Sequence, residues 1–352
     1  MDGSPDALCA NLRGLGAALS LTLAITGCGA AVVPGVPEPA RSPPLTDAPA
    51  GRLVGVGALP EGLVADGHTG VVAVAVRDGL VLVNRGGRRA GRVLLGDGAR
   101  HLSLAAPGGP VLVPNEAANR VRAVSLAGVG RHGRARARVV EDAPVGRHPH
   151  DAARAAGRTF VGNEFADSVS VVQAGRTVRT LRVPRQPGGL AASGGYVAVV
   201  AVSARRLAVI DARSLATVAD LPCGRGPTHV VSFGGRLLVA DTQGQAILVY
   251  ALSPKPRLVG RVALAGTPYG LALDPVRRRL WVTLTATNRL VALDLSAGLP
   301  RPVLSLPVAR QPNSVAVDPV SATVYVTGTD AGVLEIIPPA SLAAATRLGP
   351  HG

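Results

Sequence analysis

The chain has 352 residues, 47% of them hydrophobic but only 2% aromatic, so its core must consist mainly of Val, Leu, Ala and Ile. Many Gly (44) and Pro (29) residues in a Val-rich chain predict short strands joined by turns, which argues against a helical protein. The net charge of +15 comes almost entirely from dispersed arginines without interleaved aromatic residues, which argues against a nucleic-acid partner.

The N-terminal residues 1–27 have the layout of an export signal. Arg13 precedes an apolar run at residues 15–25, which is too short to span a bilayer and is typical of the central part of a signal peptide. The sequence Ile-Thr-Gly-Cys that ends at Cys28 resembles the lipobox of bacterial lipoproteins. This resemblance implies that Cys28 is lipidated and that the chain is exported and anchored to the outer face of the cell membrane. An ordinary cleaved signal peptide and a buried helix are the alternatives.

The cysteines and the next segment agree with this interpretation. Cys9 would leave with the signal peptide and Cys28 would carry the lipid, so Cys223 has no partner for an intramolecular disulfide. Residues 28–50 hold the lipidated cysteine and a Pro- and Ala-rich stretch, which predicts an extended, semi-rigid linker. No later stretch is long and apolar enough to cross a membrane.

An internal repeat occupies residues 51–348, and residues 349–352 form a short tail. Six of the seven units begin with a proline, and the second begins with an alanine. Each unit continues with two apolar strands separated by a polar turn, and the unit recurs about every 42 residues. We call the first residue of each unit the marker; the seven markers are Pro60, Ala99, Pro149, Pro187, Pro227, Pro268 and Pro312. A period near forty with about four strands per unit predicts a seven-bladed all-β propeller with four-stranded antiparallel blades.

The strand sequences resemble those of the YVTN repeat family, which includes surface-layer and YncE-like bacterial propellers. The residues that carry the resemblance are Tyr-Val-Thr-Gly at 325–328, Trp-Val-Thr at 281–283 and Phe-Val-Gly-Asn at 160–163. The Trp-Asp pair of WD40 repeats is absent from these units, and a Gly-His pair occurs in them only once, at residues 67–68. The long second interval contains a basic run, Arg131–Arg138, which we interpret as an insertion between strands and whose role the sequence leaves open.

Either end of the chain could close the ring. Residues 52–57 resemble the fourth strands of other blades and could complete blade seven, but residues 341–348 resemble the fourth strand of blade four. We favour the N-terminal strand, because joining the two ends of the chain in one blade removes an open edge.

Polar residues converge on one face of the predicted propeller. The loops that enter each blade and those between its second and third strands share this face, which we call the mouth. The candidate ligand-binding residues at the mouth are His101, Asn115, Glu116, His148, His150, Asp151, Asn163, Glu164, His229, Asp241 and Tyr269.

Two interpretations of these residues remain open. His and carboxylate groups are usual ligands of Zn²⁺, Mn²⁺ or Ca²⁺, and the metal candidates are His148, His150, Asp151 and Glu164. A histidine beside a carboxylate could also act as a general base on a lactone. Alternatively, Asn and Asp simply cap tight turns. The sequence identifies no cofactor motif, so a divalent metal is the one candidate cofactor.

The sequence favours a membrane-tethered propeller that binds a protein, polymer or small molecule at the cell surface without turnover. The first alternative is a metal-dependent enzyme, because the mouth resembles, at the level of fold, propeller lactonases and streptogramin lyases that keep His and Glu there. The second is a propeller subunit of an exported redox enzyme, which would need a cofactor-bearing partner. Neither the ligand nor the oligomeric state follows from the sequence.

Overall fold

A computed structural model describes residues 37–96, 98–129, 137–343 and 345–348, whose strands form seven antiparallel sheets. The predicted all-β, seven-bladed propeller is thereby confirmed. The predicted signal peptide, Cys28 and most of the Arg131–Arg138 run lie outside the described residues. Within the described part of the chain, no helix is long and apolar enough to cross a membrane.

The strands follow the predicted repeats blade by blade. The first strand, β1 (Arg52–Gly55), does not belong to blade one but joins the sheet of blade seven. Blade one contains β2 (Leu63–Asp66), β3 (Val71–Val76), β4 (Gly79–Asn84) and β5 (Arg89–Leu94). Blade two contains β6 (Ser103–Leu104), β7 (Val111–Asn115), β8 (Arg120–Ser125) and β9 (Arg138–Pro144). Blade three contains β10 (Pro149–Ala155), β11 (Arg158–Asn163), β12 (Ser168–Gln173) and β13 (Arg176–Arg182), with a 3-10 turn at Glu164–Ala166.

The remaining blades repeat this order. Blade four contains β14 (Pro187–Ser193), β15 (Tyr196–Ala201), β16 (Arg206–Asp211) and β17 (Thr217–Pro222). Blade five contains β18 (Pro227–Phe233), β19 (Arg236–Asp241), β20 (Ala246–Ala251) and β21 (Arg257–Ala263). Blade six contains β22 (Pro268–Asp274), β23 (Arg279–Leu284), β24 (Arg289–Asp294) and β25 (Arg301–Pro307). Blade seven contains β26 (Val315–Val317), β27 (Val324–Gly328) and β28 (Val333–Ile337), and its fourth strand is β1.

The core lies between neighbouring blades, and the second and third strands form most of it. Every residue of β3 is buried, as expected for a continuous apolar run covered on both faces. Fourth strands such as β13 have only exposed and half-buried residues, because they form the outer rim of the ring. The large buried aromatic side chains of Phe160, Tyr250 and Tyr325 fill gaps between sheets that are otherwise aliphatic.

The N-terminal strand closes the ring, as the sequence favoured. Strand β1 pairs with β28 in an antiparallel register that places Arg52 opposite Ile336. The buried carboxylate of Glu335 accepts hydrogen bonds from Gly51 N (2.7 Å) and Ala309 N (2.6 Å), which ties the closing strand to blade seven. The alternative closure by residues 341–348 is wrong, because that segment forms helix α1 (Pro339–Ala343) and β29 (Thr346–Arg347), and β29 pairs with β25 of blade six.

Candidate functional site at the mouth

The backbone at each blade start directs side chains into the mouth. The residue before the marker adopts a positive φ in several blades, including His148 (57°), Thr267 (63°) and Gln311 (59°). Directly after the marker, the pairing of the first and second strands shifts register, for example between Pro149 and Asp151. Such a bulge turns the next one or two side chains out of the sheet, so each repeat offers two positions to the centre of the ring.

Some blades have a glycine at the second of these positions, which leaves space in the centre of the ring for the large side chains of other blades. A Cβ on Gly62 or Gly189 would lie 1.9 or 2.6 Å from a carbonyl oxygen of the next blade, so the blades approach closely there. The corresponding residues of blades two and five are His101 and His229. Their imidazoles therefore meet in the centre of the ring, where the glycines at the second positions of blades one and four leave room for them.

The inner loops hold two glutamates in matching places. Glu116 N donates to Gly98 O (2.8 Å) in blade two, and Glu164 N donates to His148 O (2.9 Å) in blade three. The same backbone bond fixes both residues, so Glu116 and Glu164 occupy equivalent positions on neighbouring blades. We refer to them as the glutamate pair.

The glutamate pair surrounds two histidines of blade three. His150 Nδ1 lies 2.8 Å from Glu116 Oε1 and 3.5 Å from Glu164 Oε2. His148 Nδ1 lies 3.3 Å from Glu164 Oε2, and His148 Nε2 lies 3.6 Å from Glu116 Oε2. Gln186 Nε2 donates to Glu164 Oε1 (3.2 Å) and so fixes the second oxygen of that carboxylate. His148 is the more accessible imidazole, with 27% of its side chain exposed against 9% for His150.

Three imidazoles form what we call the three-histidine cluster, composed of His101, His150 and His229. One nitrogen from each residue lies within 4.8 Å of the other two. His101 Nε2 and His229 Nε2 are 3.2 Å apart, and the His101 ring centroid lies 4.5 Å from that of His150. His229 Nδ1 lies 3.0 Å from the backbone oxygen of Tyr269 and therefore donates to it, so His229 Nε2 is the acceptor of its contact with His101 Nε2.

Burial and charge set different protonation states in this cluster. Burial lowers the pKa of His101 well below its usual range and lowers that of His229 to about 3, so both rings are neutral near pH 7. Burial also opposes the charged form of His150, but the glutamate pair outweighs it and raises the pKa of that ring. For Glu164, the charge of His150 and hydrogen bonds from His148 and Gln186 outweigh burial and lower the pKa to about 2.

Arg100 and Phe165 complete the surroundings, and neither was a candidate from the sequence. Arg100 Nε lies 3.2 Å from Glu116 Oε1, without an aligned hydrogen bond among the described residues. Phe165 stacks on the ring of His148, with centroids 4.0 Å apart and planes 17° from parallel. The repeat could have indicated Arg100, because it directly follows the marker Ala99, whereas no pattern in the sequence pointed to Phe165.

Four of the predicted residues are engaged in backbone structure. Asp151 accepts from Ala152 N (2.7 Å) and Leu190 N (2.8 Å), and burial raises the pKa of this carboxyl group to about 6. Asp241 accepts from Arg225 N and Gly226 N, while Asn115 Oδ1 accepts from Ala118 N. Asn163 donates to two serine hydroxyls of its own blade. The structure therefore brings seven candidates together and gives these four roles in turns and strands. The seven are His101, Glu116, His148, His150, Glu164, His229 and Tyr269.

The three-histidine cluster fits a divalent transition metal better than Ca²⁺ or Mg²⁺, which prefer oxygen ligands. Neighbouring nitrogens of a tetrahedral Zn²⁺ site lie about 3.3 Å apart when each is about 2.0–2.1 Å from the ion. The 3.2 Å between His101 Nε2 and His229 Nε2 is close to that value. The contacts of His150 with Glu116 and of His229 with a carbonyl are the outer hydrogen bonds that orient metal-binding imidazoles.

A cavity of about 170 Å³ lies next to the cluster. His101, Asp151 and His229 line it together with mainly apolar residues of the first strands, such as Leu190 and Leu271. Ser103, Asn313 and Ser314 also line the cavity, so polar and apolar residues share its wall. The cavity therefore gives a small molecule room beside the imidazoles, of which His150 is buried and His101 and His229 are half-buried.

Comparisons with known proteins support the fold. No protein-family model matches the sequence, and no curated protein is significantly similar to it. Among solved structures, a Kuenenia stuttgartiensis hydrazine synthase chain is 16% identical, with a TM-score of 0.66 over 80% of this chain and 96% of that one. A streptogramin B lyase is 11% identical, with a TM-score of 0.66 over 81% and 97%. Virginiamycin B lyase from Staphylococcus aureus is 12% identical, with a TM-score of 0.63 over 81% and 98%. At these identities the likeness shows the propeller fold alone.

Proposed function

We propose that this chain is a metal-dependent enzyme that opens an ester or lactone bond at the propeller mouth. The observation that carries the proposal is the convergence of three imidazoles and two carboxylates from three different blades. Turn formation does not require this arrangement, because Asn115, Asn163 and Asp241 already serve the turns. The geometry thus favours the enzymatic alternative over the non-catalytic binding module that the sequence favoured.

The residues divide into metal ligands and acid–base groups. Nε2 of His101, His150 and His229 would hold the ion, and Glu116 would orient His150 by accepting from its Nδ1. A divalent metal in this position would act as a Lewis acid on the carbonyl oxygen of the substrate. His101 and His229 are neutral near pH 7, as metal binding requires. The pKa of His150 is raised, so the ion would have to compete with a proton at that ligand.

His148 is the candidate general base and acid. Its side chain is more exposed than that of His150, and Glu164, ionised at neutral pH, holds its Nδ1. Nε2, which lies 3.6 Å from Glu116 Oε2, can take a proton from an attacking water or, in an elimination, from the substrate carbon next to the bond that breaks. It can then give that proton to the leaving oxygen. Phe165 keeps the ring of His148 in place by stacking. The proposal is compatible with the streptogramin B and virginiamycin B lyases among the structural neighbours.

We further propose that the enzyme acts on the outer face of the cell membrane as a lipoprotein. The lipobox-like sequence at Cys28 and the preceding apolar run support this location. The YVTN-like strand sequences support the same assignment, because that resemblance implies a surface protein. Mass spectrometry of the protein from a lipidating host tests it, and an unmodified or absent Cys28 would contradict it.

A substrate panel tests the proposed reaction. The protein is loaded with Zn²⁺ or Mn²⁺ and assayed on simple lactones, cyclic depsipeptides and linear esters. We expect metal-dependent turnover that falls by at least about a hundredfold in His148→Ala with metal affinity retained, since general acid–base groups contribute about that much. His68→Ala, on the opposite face, is the matched control. Bound metal without turnover across the panel would reject the enzyme and favour a binding module.

A further inference from the structure

A second cavity, of about 550 Å³, lies on blade six, and we call it the blade-six cavity. One wall is the sheet face that carries Trp281, Ala292 and Leu304, which lie opposite one another on β23, β24 and β25. Leu342 of helix α1 and Leu348 line it from the C-terminal segment, whose β29 pairs with β25. Of the described residues that line it, none belongs to the glutamate pair or the three-histidine cluster, so it is distinct from the proposed site at the mouth.

The size and lining of the blade-six cavity are those of a small-molecule site. Such sites typically have volumes of about 300–1,000 Å³, with mostly apolar walls and a few polar groups. Val303 and Ala322 extend the apolar wall, and the polar groups come from Asp274, Arg277 and Arg279. The aliphatic character of most of this wall favours a ligand with an aliphatic body.

Two residues of this wall carry a buried donor without an acceptor among the described residues. Trp281 is 4% exposed, and its Nε1 donates to no group. Nη1 of Arg279 is also buried without an aligned hydrogen bond, and Asp294 Oδ1 lies 4.0 Å from it. Nearly all buried donors in proteins are bonded, so two unbonded donors on one cavity point to an acceptor that a bound molecule supplies.

The position and charge of these donors favour a carboxylate. Arg279 and Trp281 are two residues apart on β23, so they share one face of the sheet and a single group can meet both. Arg277, the other guanidinium of the wall, is occupied within its turn, since it donates to Asp274 Oδ2 (3.1 Å) and Pro319 O (2.9 Å). The guanidinium of Arg279 therefore supplies the positive charge, and carboxylates are the acceptors that a guanidinium fits best.

We infer that the blade-six cavity binds an aliphatic carboxylic acid. Trp281 Nε1 and Arg279 Nη1 donate to its carboxylate, and its chain packs among Ala292, Leu304 and Leu342. The site adds a binding function to the protein that is independent of the proposed reaction, because it shares no residue with the mouth.

Intrinsic fluorescence tests the inference directly. Trp281 is the only tryptophan in the chain, so its emission reports on this cavity. Protein with chelator present is titrated with decanoate and with decanol, which has the same chain but no charge. We expect a saturable change in emission and at least about tenfold higher affinity for decanoate, because hydrogen bonds between two charged groups are the stronger ones.

Arg279→Gln separates the charge from the apolar wall. The variant should reduce the preference for decanoate over decanol by at least about tenfold, while its affinity for decanol stays within about twofold and shows that the cavity is intact. Arg278→Gln is the matched control, because it removes the same charge from the next residue, whose exposed guanidinium lies over the ring of Phe233. Trp281→Phe keeps an aromatic ring but loses the donor, and calorimetry should show decanoate binding about fivefold weaker.

Three results would overturn the inference. The first is equal affinity of the wild type for decanoate and decanol, or no saturable change with either. The second is an equal loss of preference in Arg279→Gln and Arg278→Gln. The third is decanoate binding that occurs only after residues 349–352, which follow Leu348, are removed, since that would assign the cavity to the end of the chain itself.

Discussion

Two sectors of the mouth are built on the same backbone but differ in chemistry. In blades two, three and five, the positions after the marker carry Arg100, His101, His150 and His229. In blades six and seven, Thr285 and Gln311 bind residues 37–43, which we call the strap. Arg310 also donates to Ser42 O of the strap, and its charge is paired with Asp330. The repeat therefore provides the positions, and the residue at each position decides between an ionisable cluster and a docking surface for the chain itself.

The largest expected effect is on metal binding by the ionisable sector. His101→Ala and His229→Ala each remove one of three proposed ligands, so the affinity for Zn²⁺ should fall by at least about a hundredfold. Titration calorimetry on metal-stripped protein measures it, with His68→Ala as the control on the opposite face. Affinity unchanged in both variants would mean that any metal binds elsewhere.

Glu116→Gln should have a smaller effect on the same sector. The variant keeps the shape of the side chain but loses the charge that faces His150 Nδ1 at 2.8 Å and Arg100 Nε at 3.2 Å. Loss of such an outer partner typically weakens metal affinity by about 10–100-fold. The competing prediction is that Glu116 is itself a ligand, in which case the loss should match that of His101→Ala.

In metal-free protein, the stability of the ionisable sector should depend on pH through the titration of His229. His229 has a pKa of about 3 in the folded protein and an ordinary value once unfolded, so the unfolded chain takes up the proton first. Stability should therefore fall as the pH drops from about 6.5 towards 3, by up to about 1.4 kcal/mol per pH unit for one proton. The stability that Glu164 gains from its lowered pKa is lost only below its ordinary value of 4.5.

Melting temperatures of wild type and His229→Asn between pH 4.5 and 6.5, with chelator present, measure this contribution. His150, with its raised pKa, contributes stability at low pH and loses it as the pH rises, so it cannot produce the expected decline on acidification. The variant should show a flatter profile, and an identical slope would assign the decline to other groups.

The smallest effect is expected from the strap sector. Gln311→Ala should lower stability by about 1–2 kcal/mol, since it removes hydrogen bonds at a largely buried position. Zn²⁺ affinity should stay within about twofold of the wild type, because Gln311 contacts no member of the three-histidine cluster among the described residues. A large loss of metal affinity would show that the sectors are coupled.

The fold could be predicted because the pattern that specifies each blade lies within a short stretch of sequence. The prolines at Pro149, Pro187, Pro227 and Pro268 each begin the first strand of a blade, and Ala99, without proline, still forms the equivalent bridge to Asn115. The strand that closes the ring could also be predicted from its likeness to other fourth strands. Each of these features depends on a few consecutive residues and the period between them.

The site was predictable only in part, because its contacts join distant residues. The loops that supply His148, His150 and Glu164 could be assigned to the mouth, but the meeting of His101 with His229, 128 residues later, depends on the width of the ring and on Gly62 and Gly189. The docking of the strap on blades six and seven could not be predicted for the same reason. Gln311 lies 269 residues after Ser42, and a Pro-rich stretch predicts a linker wherever it has no assigned partner.

The most direct test of the central claim is the position of the metal in a crystal of the Zn²⁺-loaded protein, located by anomalous scattering. We predict one ion about 2.0–2.1 Å from Nε2 of His101, His150 and His229. An ion on the other side of His150, bound at Nδ1 between Glu116 and Glu164, or no ion at the mouth at stoichiometric loading, would contradict the three-histidine centre.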